Sequence, residues 1–237
     1  MLCLADVSLR IDGRDILDGI SFQTSARRVG VVGRNGSGKT TLARIIAGLV
    51  VPTKGTVRLS GIDVAKDRRA ALREVGILFQ NPDHQIIFPT VIEEVSFGLS
   101  QLGCSKAETQ MRAEEILARF GRSPWRDAAI HVLSQGQRQL VCLMSVLAMK
   151  PRLIILDEPF AGLDIPTAMH LSRVLDGIEA QLLHITHDPE VLRDYDHVIW
   201  IDAGRVAQDG PATTLLPAYQ THMAQIGDAD DLAQLTG

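Results

Sequence analysis

Cysteine is scarce in this chain of 237 residues: Cys3, Cys104 and Cys142 are far apart and have no metal-like spacing. That rules out a disulfide framework, and an odd, scattered set indicates a reducing compartment. A basic excess is missing too. There are 24 Lys and Arg against 28 Asp and Glu, a formal charge of −4, so nucleic acid is a poor default partner. No apolar run approaches the ~18 residues of a membrane-spanning helix. The nearest, Leu140 to Met149, reads as a buried core helix. The start, Met1-Leu2-Cys3-Leu4-Ala5-Asp6, lacks a basic region followed by an apolar one, so no secretory signal is expected. Internal repeats and low-complexity stretches are also lacking. Any membrane role is expected to come through a partner.

What is present is 46% apolar sequence, ample for the core of one α/β domain, or of a core with an inserted subdomain. Its most informative stretch is Gly33-Arg34-Asn35-Gly36-Ser37-Gly38-Lys39-Thr40, which fits the phosphate-binding pattern G-x-x-x-x-G-K-[ST] at every fixed position. Apolar Val29-Gly30-Val31-Val32 precedes it and helix-like Thr41 to Ile46 follows. Strand, glycine loop and helix N-terminus are the context an anion cradle needs. Lys39 supplies a mobile charge for the outer phosphates, and the Thr40 hydroxyl suits Mg²⁺.

Residues 4 to 32 read as strands with turns at Asp12-Gly13-Arg14 and Asp18-Gly19. Further strands are expected at Thr56–Leu59, Val75–Gln80, Leu153–Leu156, Leu182–Ile185 and Val198–Ile201. Asp202-Ala203-Gly204-Arg205 reads as a hairpin turn. Helical patterning fills residues 90 to 149, and Ser105-Lys106-Ala107-Glu108 has the capping-box pattern. The picture is a mostly parallel sheet with a helical insertion between its halves.

The strand Leu153-Ile154-Ile155-Leu156 ends in Asp157-Glu158. A buried strand delivers its last residues to the carboxyl edge of the sheet, beside the phosphate loop. Asp157 is expected to hold Mg²⁺, and Glu158 to orient and deprotonate the attacking water. Leu133-Ser134-Gln135-Gly136-Gln137 precedes the apolar helix, where Ser134 either caps the helix or serves an anion site.

Together these motifs resemble, over nearly the whole chain, the nucleotide-binding subunits of ATP-binding-cassette (ABC) transporters. Gly33 to Thr40 resembles the Walker A loop, Gln80 the Q-loop glutamine, and Leu133 to Gln137 the signature pentapeptide. Leu153 to Glu158 resembles Walker B, Ala161-Gly162-Leu163-Asp164 the D-loop, and His187 the switch histidine. The resemblance implies a P-loop NTPase (RecA-like) α/β core over 1–85 and 150–218. It adds an N-terminal antiparallel β subdomain, a helical subdomain over 86–149 and a short tail over 219–237. It implies ATP on residues 33–41 (Gly33, Arg34, Asn35, Gly36, Ser37, Gly38, Lys39, Thr40 and Thr41), and Mg²⁺ on Thr40, Gln80 and Asp157. Lys39, Glu158 and His187 would be catalytic. Ser134, Gln135, Gly136 and Gln137 would reach the γ-phosphate of a second subunit in a head-to-tail dimer, with Asp164 at the D-loop. His184 falls inside its strand and reads as packing.

Two positions depart from the family pattern. Gln135 replaces the usual first glycine of the signature, which would lose glycine-only dihedrals. Ile11 lies where an adenine-stacking aromatic is usual, giving apolar contact without π stacking.

The stretch Gln80-Asn81-Pro82-Asp83-His84-Gln85, continuing to Pro89-Thr90-Val91, is similar to the Q-loop region of energy-coupling-factor importer ATPases. That implies peripheral attachment to the cytoplasmic face of the membrane, beside a transmembrane coupling subunit and a substrate-binding membrane subunit. Glu93 and Glu94 either meet basic residues of the coupling helices or are solvated charges favourable to a helix start. The dimer would be a homodimer or a pairing with a paralogous ATPase. The short end after the core resembles the biotin-type members; cobalt or nickel import, or a soluble ABC ATPase, are the alternatives.

Overall fold

The computed structural model describes residues 1–228. The chain opens with β1 (Leu2–Ile11) and β2 (Arg14–Thr24), an antiparallel pair joined at Asp12-Gly13, and β3 (Arg28–Val32) follows. The expected turn at Asp18-Gly19 lies inside β2. Val7 pairs with Ile20 but Leu9 with Leu17, so one extra β2 residue sits opposite β1 there. Gly19, at φ 65°, makes this a β-bulge rather than a chain reversal.

Next come α1 (Lys39–Ile46), β4 (Lys54–Leu59), β5 (Ile62–Asp63), α2 (Arg68–Glu74) and β6 (Val75–Leu78). The helical stretch comprises α3 (Val91–Gln101), α4 (Lys106–Arg119) and α5 (Gln135–Ala148). Ser105 caps α4 by accepting from the Glu108 N–H. Glu108 itself turns to Arg112, so only half of the expected box forms there. β7 (Leu153–Asp157), α6 (Ile165–Asp176), β8 (Gln181–Ile185), β9 (His197–Asp202), β10 (Arg205–Gly210) and α7 (Ala212–Asp228) complete the described chain. Ala203 and Gly204 both have positive φ, the tight reversal that suits the twist of the β9–β10 hairpin. Residues 219 to 228 continue α7, so no boundary falls at 218; residues 229–237 lie outside the described residues.

Two sheets result. The antiparallel one has the order β2-β1-β4-β5, and the larger one β10-β9-β3-β8-β7-β6. In the second, β6, β7, β8, β3 and β9 run parallel. Their segments are short and almost wholly apolar because both faces are covered. One face packs with α1 against the antiparallel sheet, where Leu42, Ile45 and Ile46 are buried with Leu2, Leu17 and Ile20. The other face packs on the helical stretch, where Leu143, Met144 and Leu99 are buried. Truncating one such side chain typically costs about 2–5 kcal/mol. The parallel order sends the carboxyl ends of β3, β8, β7 and β6 to one edge. The loops at 33–38, 186–188, 158–164 and 79–90 therefore emerge together.

Candidate nucleotide-binding site

The phosphate loop leaves β3 at Gly33 and enters α1 through Gly38. A Cβ at Gly33 would lie 2.2 Å from the Ile201 carbonyl oxygen. At Gly38, with φ 101°, it would lie 2.6 Å from Leu17 Cδ2. Only glycine lets the loop fold this closely onto β9 and β2. Lys39 is buried, and its Nζ donates to the carbonyls of Gly33 (2.8 Å) and Arg34 (2.9 Å). Burial lowers its pKa, while the carboxylates of Glu158 and Asp157 oppose that shift. Ser37 Oγ is buried without a hydrogen-bond partner. A cradle with an unmet hydroxyl, a helix N-terminus and a lysine fits a polyphosphate.

Asp157 ends β7, is 4% exposed, and accepts from Thr40 Oγ1 at 3.2 Å. Desolvation raises its pKa and the neighbouring Glu158 adds to the rise, against the Thr40 hydrogen bond. Glu158 has φ 49°, unusual for a residue with a Cβ, and its N–H donates to the Ile185 carbonyl at 3.0 Å. That backbone strain turns its carboxylate toward the end of β8. There His187 Nδ1 lies 2.8 Å from Glu158 Oε1, and Thr186 Oγ1 donates to Glu158 Oε2 at 3.4 Å. His187 follows β8, in the middle of the sheet, with β9 and β10 still to come.

A cavity of about 280 Å³ gathers these groups. Asn35, Gly36, Gly38, Lys39, Thr40 and Thr41 form one wall, and Gln80, Asp157, Glu158 and His187 the other. Residues from the ends of β3, β6, β7 and β8 thus meet at one place. Ile16 completes the lining, and Ile11 does not reach it. Ile11 stands 48% exposed at the end of β1, so the expected apolar contact falls to Ile16. Ile16 and Thr186 were not singled out from the sequence. The apolar residue after the Asp12-Gly13 turn and the hydroxyl beside His187 were the available signals.

The signature residues are elsewhere. Ser134 caps α5 through a complete capping box: its Oγ accepts from Gln137 N–H (3.3 Å), and Gln137 Oε1 accepts from Ser134 N–H (2.9 Å). Gln135 is the first residue of α5 and has no positive φ, so its replacement of glycine carries none of the expected backbone cost. Its amide lies 3.5 Å from the Ala161 carbonyl. Asp164 caps α6 by accepting from the Thr167 N–H at 2.9 Å, and its pKa is lowered first by the Thr167 side chain and then by that backbone bond. A Cβ on Gly136 would meet Thr167 Cγ2 at 2.4 Å. Ser134, Gly136, Gln137, Thr167 and His170 line a separate cavity of about 300 Å³. One chain does not bring them to its own phosphate loop.

Glu93 and Glu94 also separate. Glu93 is exposed and accepts from Thr90 Oγ1 at 2.5 Å. Glu94 is 5% exposed, and one of its oxygens accepts from the N–H groups of both Ile87 and Phe88, each at 2.9 Å. It is therefore neither the solvated charge nor the free partner contact expected. Glu94 holds the loop before α3 in place, lining an apolar groove of about 300 Å³ with Leu72, Phe79, Ile87, Phe97 and Met149.

Among the described residues no group of three or more His, Cys, Asp or Glu could hold a metal ion. The oxygen set of Thr40, Asp157 and Gln80 suits a hard cation that also keeps water and phosphate oxygens. No described helix is long and apolar enough to cross a membrane.

Comparison with known proteins bears on the family of the chain. The family model described as ABC transporter matches residues 17–161. The biotin transport ATP-binding protein BioM of Rhodobacter capsulatus is 48% identical over 226 residues, covering 95% of this chain and 97% of that protein. The energy-coupling factor transporter ATP-binding protein EcfA of Methanothermobacter thermautotrophicus is 37% identical, covering 89% of this chain and 70% of that protein. An ATP-binding cassette solved as a dimer in a post-hydrolysis state, with ADP and Pi bound, superposes with a TM-score of 0.79 at 25% identity. The match covers 90% of this chain and 99% of that one. The chain belongs to the ABC transporter family and is an ATP-binding, ATP-hydrolysing cassette of the energy-coupling-factor kind.

Proposed function

We propose that this cassette powers biotin uptake through an energy-coupling-factor importer, working in pairs on the cytoplasmic face of the membrane. Its near full-length likeness to a biotin-transport ATP-binding protein carries the substrate assignment. The cavity that collects Lys39, Thr40, Gln80, Asp157, Glu158 and His187 supports the roles within it.

Residues 33–41 would bind the phosphates of ATP through backbone N–H groups and Lys39. Thr40, Asp157 and Gln80 would hold Mg²⁺, which would supply positive charge against the phosphate oxygens. Glu158 would take the proton of the attacking water, held by His187 and Thr186 at the distances above. Ser134 and the Gly136 N–H would meet the terminal phosphate of a second cassette, with charge stabilised by preorganised donors. That second cassette is either another copy or a paralogue. An amphipathic coupling helix of a membrane subunit would occupy the apolar groove beside Glu94.

The test is uptake of tritiated biotin by cells lacking their own importer, expressing this chain with its membrane partners. Uptake should require this chain and vanish in Lys39→Ala. Biotin uptake that is indifferent to the chain would remove the substrate assignment. ATPase turnover unchanged in Glu158→Gln would remove the assignment of the base.

A further inference from the structure

Gln139, on α5 five residues beyond Ser134, is 1% exposed. Its Nε2 donates to the Phe79 carbonyl at 3.1 Å, while its Oε1 is buried without a partner. A half-satisfied buried amide costs stability that an apolar side chain of similar volume would not. Its one hydrogen bond therefore points to a role in geometry rather than in packing. Phe79 immediately precedes Gln80 and follows the last residue of β6. Beyond the sheet ladder, both of its backbone polar groups are held by side chains: the N–H donates to Gln85 Oε1 at 3.1 Å, and the carbonyl accepts from Gln139. The preceding residue of α5 adds a second tie, an ion pair from Arg138 Nε to Asp83 Oδ1 at 3.1 Å. Arg138 also donates to the Leu133 carbonyl at 2.7 Å, fixing that tie to the signature.

We propose that Gln139 is a positioning residue for ATP hydrolysis, whose buried amide clamps the Phe79 carbonyl and so places Gln80 at the nucleotide cavity. Because the clamp sits on α5, the helix that begins at the signature, a shift of that helix moves Gln80. One half of a composite site is thereby tied to the other half of the neighbouring site. This inference rests on the reading that Gln80 acts at the nucleotide and Mg²⁺.

The experiment compares wild type, Gln80→Ala, Gln139→Met and the double variant. Methionine keeps the unbranched volume and loses the donor. The expected result is a Tm within about 3 °C of wild type, affinity for a fluorescent ATP analogue within about twofold, and kcat lowered about tenfold. Amide exchange at Phe79 and Gln80 should quicken in Gln139→Met. The decisive readout is the double variant, which should be no slower than Gln80→Ala alone. Losses that multiply, or a kcat unchanged in Gln139→Met beside a slowed Gln80→Ala, would overturn the clamp. If Gln80→Ala itself turns over normally, the role of Gln80 fails, and the clamp with it. A Tm drop in Gln139→Met with kcat per folded molecule intact would reduce Gln139 to a core residue.

Discussion

Lys39 is the residue on which most of the site's charge balance converges. It is buried beside two carboxylates, and its ammonium is held by its own loop. Replacing it by alanine should abolish ATP binding, measured by isothermal titration, while leaving the fold intact, since its hydrogen bonds serve only loop carbonyls. Glu158→Gln keeps the size and the Thr186 contact but cannot accept a proton. Single-turnover hydrolysis should fall about 10²–10⁴-fold, with nucleotide affinity retained. A third residue reports on the core instead. His184 is fully buried in β8, its Nδ1 lies 2.8 Å from the Tyr195 hydroxyl, and burial pushes its pKa from 6.5 to about 3. The unfolded chain takes up that proton below about pH 6.5 and the folded chain does not until about pH 3. Stability therefore falls as pH drops through that window, by about 1.4 kcal/mol per pH unit from this group. Urea unfolding at pH 6.5, 5.5 and 4.5 should show a flatter pH slope in His184→Gln. An unchanged slope would mean that the folded ring is already protonated.

At the scale of elements, the strand ends were legible because each motif is contiguous. Val29 to Thr40 and Leu153 to Glu158 carry strand, loop and chemistry in one run, and hydrophobic content alone marks the strand as buried. What was not legible depends on returns of the chain. Asp18-Gly19 has turn composition, yet pairing across β1 absorbs it as a bulge. Ile16 rather than Ile11 reaches the cavity because β2, not the end of β1, passes the phosphate loop. Glu94 belongs to the same class. In sequence it is one of two acidic residues at a helix start, and only the fold brings the N–H groups of Ile87 and Phe88 onto it. It links α3 to the loop that begins at Gln80. Glu94→Ala should cost about 3 kcal/mol, two charge-assisted bonds at about 1.5 kcal/mol each. Glu94→Gln, whose oxygen still accepts both, should cost less than half of that in urea denaturation. Equal losses in the two variants would show that volume, not the acceptor, matters at this position.

At the scale of the molecule, the governing fact is that the phosphate cavity and the signature cavity are separate within one chain. The first gathers Lys39, Thr40 and the N-terminus of α1, groups whose chemistry suits a triphosphate. The second presents a helix N-terminus whose serine already has an intramolecular partner, so it adds affinity only where another molecule brings charge to it. Two chains arranged head to tail would place each signature over the other's nucleotide, closing two sites at once, the self-complementary contact of a twofold dimer. This predicts a split between binding and association. In the Glu158→Gln background, MgATP should convert monomer to dimer in sedimentation velocity, since the nucleotide is retained. Adding Ser134→Arg should leave ATP affinity of the monomer within about threefold, because Ser134 is remote from its own phosphate loop, yet block the dimer by steric conflict, since the arginine overfills the space between the signature and the partner's nucleotide. Dimer formation undisturbed by Ser134→Arg would remove the signature from the interface. Loss of ATP binding by the monomer would instead put Ser134 in contact with its own nucleotide, against the separation of the two cavities.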